Sequence, residues 1–185
     1  MADNVTSPLL KDHAKTRELL GELKAHLSRF DLPGIRKAVQ ELKDAHREHT
    51  LKEDSVLYLI GMKFLKANNQ KLPELIREHR QTSDRLNALS NVLYSGRMTD
   101  GEDQIQQLAF VLSEAMEDHM TDEESIVFPA LEKLIDPQTK NLIVQRYQSV
   151  AADNFDEFDR APLISLPDMV DNAGITAPAN KPVGP

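Results

Sequence analysis

The sequence predicts an all-α fold, two helical hairpins in which four antiparallel helices are joined by short loops, followed by a short fifth helix. Three observations predict it. Apolar residues recur at alternating steps of four and three, the rhythm of a helix face packed in a bundle. Turn-forming stretches at Asp31 to Gly34, Ala67 to Asn69 and Ser95 to Gly101 separate those runs. A short pattern also occurs twice, HTLKE at His49 to Glu53 and HMTDE at His119 to Glu123, 70 residues apart by either member.

Helix 1 is predicted from Ser7-Pro8 to about Arg29, a serine cap followed by a proline in the first turn, where its missing N–H costs nothing. Helix 2 follows from about Pro33 to Lys66, with Ile35, Val39, Leu42, His46, His49, Glu53, Val56 and Ile60 on its inner stripe. Helix 3 runs from about Pro73 to Tyr94 and turns Leu72, Ile76, His79, Leu86, Leu89 and Leu93 inward. Helix 4 carries Ile105, Ala109, Leu112, Met116, His119, Glu123, Ile126 and Ala130 in the same rhythm. Pro129 is expected to kink it and Asp136-Pro137 to end it. A fifth helix, about Gln138 to Ala152, then caps the bundle, giving a domain over residues 1–160. From Ala161 onward five of the ten prolines fall in a stretch with little apolar periodicity, so 161–185 is expected to be an extended, flexible Pro-rich tail.

Each repeat places a histidine four residues before a glutamate, and four helical steps bring the two side chains to within roughly 40° on one face. The flanks repeat too. LLKDHAKTRELL, with His13, matches ELIREHRQTSDRL, with His79, in two apolar residues, an acid immediately before the histidine, and leucines downstream; acids also follow Glu53 and Glu123. Six polar residues, His13, His49, Glu53, His79, His119 and Glu123, thus replace apolar ones on inward faces, where an unpartnered polar group costs a few kcal/mol. Four antiparallel helices would bring all six to one level. Two metal ions held by imidazoles and shared carboxylates would satisfy them; the alternative is a buried hydrogen-bonded His/Glu network without metal. His46 lies one turn before His49 but its repeat partner is Met116, so it reads as an extra ligand, a supporting donor or a core-edge histidine. His26 falls about 220° round the helix from His13, on the outer, solvated face. Asp54, Asp122 and Glu124 neighbour the six and read as a solvated face with room for supporting contacts.

Composition narrows the chemistry. At 185 residues a single domain buries enough apolar surface without staples, so a metal would be there for function. With no cysteine, thiolate sites, iron-sulfur clusters and thiol catalysis are excluded. A net charge of −8 with 22 scattered basic residues opposes nucleic-acid binding. No basic segment followed by an apolar stretch opens the chain, and no apolar run approaches the roughly 18–20 residues that span a bilayer. The expectation is a cytoplasmic protein with neither nucleic-acid nor membrane partners.

One histidine on helix 1, His-x-x-x-Glu on helix 2, one histidine on helix 3 and His-x-x-x-Glu on helix 4 resemble the hemerythrin-like, or HHE cation-binding, family over about residues 8–135. The resemblance implies an up-down-up-down four-helix bundle around a non-haem, carboxylate-bridged di-iron centre. His13 and His49 would serve one iron, His79 and His119 the other, and Glu53 and Glu123 would bridge them. Ligand type alone does not separate iron from manganese or zinc. The ferritin-like arrangement uses Glu-x-x-His, which the inward faces lack. Oxygen-carrying members have a second histidine one turn from the helix-3 histidine, but the positions four either side of His79 are Leu75 and Ser83. That absence favours chemistry with peroxide, oxygen or nitric oxide over reversible carriage alone. Binding or sensing of dioxygen or nitric oxide is the first functional expectation because the family covers it broadly. Consumption of peroxide or oxygen by a di-iron oxidoreductase is the second and iron handling the third, with the exogenous partner a small diatomic molecule or peroxide.

Overall fold

The structure, a computed structural model, describes residues 4–64, 71–95 and 101–152. Among them the secondary structure is entirely helical: α1 Ser7–Leu27, α2 Leu32–Lys52, α3 Tyr58–Phe64, α4 Lys71–Tyr94, α5 Gly101–Asp122, α6 Phe128–Leu134 and α7 Pro137–Ala152. Two five-residue π-helical turns, Glu53–Leu57 and Glu123–Val127, join α2 to α3 and α5 to α6 without a break. The predicted end of helix 2 at Lys66, the break at Ala67 to Asn69, most of the Ser95 to Gly101 turn and the 161–185 tail lie outside the described residues. None of the described helices is long and apolar enough to cross a membrane.

α1 packs on α2, α2 on α4, α4 on α5 and α5 back on α1, while α7 covers α2 and the first π-turn. The apolar interior falls into two clusters. One gathers Leu19, Leu23, Leu42, Leu86, Leu89 and Leu112; the other gathers Leu9, Leu57, Leu75, Val127, Leu131 and Tyr147. On every long rod the polar residues sit between the two: His13 between Leu9 and Leu19, His49 and Glu53 between Leu42 and Leu57, His79 between Leu75 and Leu86, His119 and Glu123 between Leu112 and Leu131. The bundle therefore has a polar waist between two dry cores.

Local chemistry sets the ends of the helices, with some departures from expectation. The residue before α1 is Thr6 rather than Ser7, its side chain makes no cap bond, and Pro8 sits in the first turn as predicted. Asp31 caps α2 by accepting the Gly34 N–H at 3.3 Å. Its other oxygen accepts from His26 Nδ1 at 2.7 Å, so His26 is a half-buried staple of the α1–α2 turn and not the solvated residue expected. A Cβ on Gly34 would lie 2.0 Å from that imidazole and 2.5 Å from the Asp31 carboxylate, so any larger residue there would displace the pair. α6 ends at Leu134, two residues before the Asp136-Pro137 expected to end it. Asp136 then starts the next helix, accepting the N–H groups of Gln138 and Thr139 at 3.0 Å each to cap α7.

The two π-turns correct the predicted register. Each begins at the repeated glutamate, where the N–H five residues on (Tyr58, Phe128) donates to the carbonyl of Glu53 or Glu123. One extra residue is thereby inserted: in the first copy Val56 stays inside as predicted and Leu57 joins it, while in the second the inner stripe moves by one position. Ile126, expected inside, is 56% exposed, and Val127 and Leu131 take the places assigned to Ile126 and Ala130. Pro129 is not the cause, because the same π-turn forms in the first copy, where Leu59 stands at the corresponding position. The shared feature is the glutamate at the head of the turn, and π-turns inside helices cluster at functional sites.

Candidate metal centre

All six predicted residues meet at the waist and are buried, Glu53 and Glu123 fully so. They form two overlapping groups: His13, His49, Glu53 and Glu123 in one; Glu53, His79, His119 and Glu123 in the other. Within each, the candidate ligand atoms lie within 4.8 Å of one another. Both carboxylates belong to both groups. Glu53 Oε2 is 3.1 Å from His49 Nε2 and 3.2 Å from His79 Nε2. Glu123 reaches His13 Nε2 at 3.1 Å through one oxygen and His119 Nε2 at 3.2 Å through the other.

The imidazole pairs are closer still, 3.2 Å between the Nε2 atoms of His13 and His49 and 2.8 Å between those of His79 and His119. Two ligands held about 2.1 Å from one ion at a right angle stand roughly 3 Å apart, so both separations fit a shared ion. The opposite ring nitrogens show which lone pairs are free. Nδ1 of His13 donates to Glu124, that of His79 to Asp54 and that of His119 to Glu78, each at 2.8 Å. A carboxylate only accepts, so these Nδ1 atoms carry the hydrogen and the Nε2 lone pairs point into the waist. Asp12 faces His49 Nδ1 at 3.6 Å, beyond hydrogen-bond length, because Lys52 draws it away at 2.9 Å. Glu124 in turn is held by Arg17 at 2.7 and 3.2 Å. Three imidazole lone pairs fixed in this way, the His49 ring beside them and two buried carboxylates thus converge on one level, where the Tyr58 hydroxyl is the one hydroxyl donor among the described residues and is directed at Glu123. Both oxygens of Glu53 and one of Glu123 have no hydrogen-bond partner among the described residues. Such a set of acceptors fits cations.

Without a cation, protons fill the role. Burial would push His49 down, but Glu53 and Asp12 outweigh it and raise it to about 9. His79 is likewise raised, with Asp54 and Glu53 outweighing its burial. Burial lowers His13, and His49 beside it adds to the shift; burial and then His79 bring His119 down to about 4. Glu53 lies well below the usual carboxylate range, because His49 and His79 overcome its burial. Glu123 is pushed well above that range by burial and by Glu53. Each imidazole pair therefore holds one proton between its two Nε2 atoms, where the ion of that pair would sit.

Sequence reasoning left Asp54 and Glu124 as a solvated face with room for supporting contacts and gave no role to Asp12, Glu78 or Tyr58. The acids Asp12, Glu78, Asp54 and Glu124 obey a rule visible in the repeats: one stands immediately before each single histidine and one immediately after each ligand glutamate. The first kind turns to the histidine of its own hairpin, the second to the histidine of the other hairpin. Asp122 instead pairs with Lys71. Tyr58 and its repeat partner Phe128 stack on His79 and His13, at 5.9 and 5.5 Å between ring centroids. Only Tyr58 brings a hydroxyl to the shared carboxylates. His46 lies outside both groups of candidate ligands. Its Nε2–H donates to the His79 carbonyl at 3.0 Å, and burial and the neighbouring His79 lower its pKa to about 3, so it is a neutral supporting donor.

The family model described as the hemerythrin HHE cation binding domain matches residues 4–131. No curated protein and no solved structure matches the chain.

Proposed function

The chain belongs to the hemerythrin HHE cation-binding family, and from that premise we propose that it is a non-haem di-iron protein that binds or responds to dioxygen or nitric oxide. The observation that carries this reading is the convergence of four buried imidazoles and two shared carboxylates into two overlapping groups whose candidate ligand atoms lie within 4.8 Å of one another. His13 and His49 would hold one ion, His79 and His119 the other, with Glu53 and Glu123 bridging. Nitrogen and carboxylate donors suit iron and also manganese or zinc, so the assignment of iron rests on the family. When bound, iron supplies one-electron redox change and coordination positions for a small ligand. The chain's own part is to fix three imidazoles through Glu124, Asp54 and Glu78, to set the carboxylate of Asp12 beside the fourth, and to place the Tyr58 hydroxyl on a bridging carboxylate. The up-down-up-down connectivity is that of a bundle built from two such hairpins, and the ligand set draws equally on both.

A second reading, a di-iron oxidoreductase consuming peroxide or oxygen, is favoured by the ligand count. Each group offers two imidazoles and two shared carboxylates, which leaves exchangeable positions at both ions. One preparation tests both. Anaerobic iron loading is expected to give about two ions per chain by elemental analysis, and the absorbance of the reduced protein is expected to change on adding oxygen or nitric oxide. Retention of no metal would reject the metal reading. A spectrum that reverts when oxygen is removed, with no peroxide consumed, would select binding; steady loss of peroxide would select the oxidoreductase.

A further inference from the structure

The four candidate ligand histidines are not held alike. Nδ1 of His13, His79 and His119 each meets a carboxylate at 2.8 Å, whereas the buried Nδ1 of His49 has no hydrogen-bond partner among the described residues. The acid that would serve it is present. Asp12 stands immediately before His13 as Glu78 stands immediately before His79, yet its Oδ2 stops 3.6 Å from His49 Nδ1 while Glu78 closes on His119 at 2.8 Å. One lysine makes the difference.

Lys52 is only 7% exposed, and its ammonium lies 2.9 Å from Asp12 and 2.9 Å from Glu48. Taking an ammonium out of water is costly, so a lysine this buried depends on the two carboxylates around it. The same oxygen, Asp12 Oδ2, faces both the ammonium and His49, and the full charge of the lysine wins it. The second hairpin has no such competitor at that place. The residue 70 positions on from Lys52, at the offset that relates His49 to His119, is Asp122. An acid there cannot attract Glu78; it pairs with Lys71 at 2.5 Å, and Glu78 stays on its histidine.

We propose that Lys52 makes the two metal seats unequal: by holding Asp12 off His49 it leaves the His13–His49 seat loosely held and exchangeable, and the His79–His119 seat tight. The inference rests on the two-metal reading and ranks its two positions for a divalent first-row cation. A carboxylate on the far nitrogen of an imidazole fixes the ring and makes the near nitrogen a better donor, and losing it commonly costs ten- to a hundredfold in metal affinity. His49 lacks that support, so the ion itself must orient its ring. Lys52 acts through Asp12 and is a positioning residue.

The test is titration of ferrous iron into the anaerobic, metal-free full chain against a competing chelator, in variants that keep one seat each. His13→Ala retains the His79–His119 seat and His79→Ala the His13–His49 seat, and the ion of the His79→Ala chain is expected to be held about tenfold less tightly. Lys52→Met removes the ammonium, keeps most of the bulk and frees Asp12 to close on His49. Added to His79→Ala, it is expected to tighten the remaining ion about tenfold, a gain that mere loss of structure would not give. Asp12→Ala on top of Lys52→Met is expected to cancel that gain. Lys52→Gln carries the same test if Lys52→Met fails to fold. Equal affinities in the two single-seat chains overturn the proposal while leaving the two-metal reading standing. So does the absence of a gain on removing Lys52, or a gain that survives the loss of Asp12. Retention of no metal by the unaltered chain instead removes the reading on which the proposal rests.

Discussion

Replacing Glu53 with alanine is expected to empty both metal positions together, taking the loaded chain from about two ions to none, whereas His13→Ala is expected to leave about one. The difference follows from geometry. His13 belongs to one candidate group, but Glu53 belongs to both, its Oε2 standing 3.1 Å from His49 Nε2 and 3.2 Å from His79 Nε2. Removal of a carboxylate that merely supports a ligand commonly costs ten- to a hundredfold in metal affinity, and a shared ligand is expected to exceed that. The metal-free protein should lose stability as well, by roughly 3 kcal/mol, because the raised imidazoles of His49 and His79 lose the buried anion that pairs with them. Elemental analysis after anaerobic loading, with circular dichroism to establish that the helices persist, reads both effects. A Glu53→Ala chain that retains one full equivalent of metal would show that the carboxylate is not shared.

The second large effect is on pH. In the metal-free protein His49 keeps its proton up to about 9 and His79 keeps its own to above the usual histidine value, so a metal ion must displace both. Apparent affinity is expected to fall about tenfold per pH unit below 9 for the His49 proton. Below pH 6.5, where His79 is also charged, the fall becomes about a hundredfold per unit. The metal-free fold behaves in the opposite sense. A histidine raised on folding contributes stability that is fully present below 6.5 and is lost as the pH climbs through about 9. Glu123, raised well above its ordinary 4.5, works in the same direction, since burial of its neutral form becomes costly as the pH rises. The gap in melting temperature between loaded and metal-free chains should therefore widen from pH 6.5 to 9. Titration of metal into weakly buffered protein at neutral pH should release at least the proton held by His49. Metal affinity that does not vary over that range would contradict the proton bridges.

Which of these residues a reader of the sequence can find depends on whether the information is periodic. The six waist residues stand out because a polar side chain on an apolar stripe conflicts with burial, and because the conflict recurs at offsets of 66 and 70 residues. The helices were legible for the same reason, to within about two residues at each described end. The π-turns were not. A helix that inserts one residue keeps its hydrogen-bonded rod but breaks the four-three rhythm, so extrapolating the stripe past Glu123 placed Ile126 and Ala130 inside, where Val127 and Leu131 belong. The carboxylates behind the histidines were half legible. Their positions beside the ligands repeat, but Asp54 and Glu124 reach the opposite hairpin, and only the packed bundle shows that. His26 was misplaced because angular position on an isolated helix ignores the turn that folds back over it.

The polar waist also bears on how the chain melts. Apolar contact transmits cooperativity only as far as packing is continuous, and here it stops on both sides of the same layer. Ions bound there would join all four long rods at one level, acting as a rivet between two blocks that otherwise share the covalent rods and the hydrogen bonds of the waist. With the rivet in place the chain should melt as a single unit. Without it, the block around Leu86 and Leu112 and the block around Leu57 and Leu131 become free to open separately, the transition broadens, and the calorimetric enthalpy exceeds the van't Hoff value. Equal enthalpies in the metal-free chain would mean that the proton bridges alone suffice to couple the blocks. Metal would then set the temperature of the transition, and the covalent rods and proton bridges its sharpness.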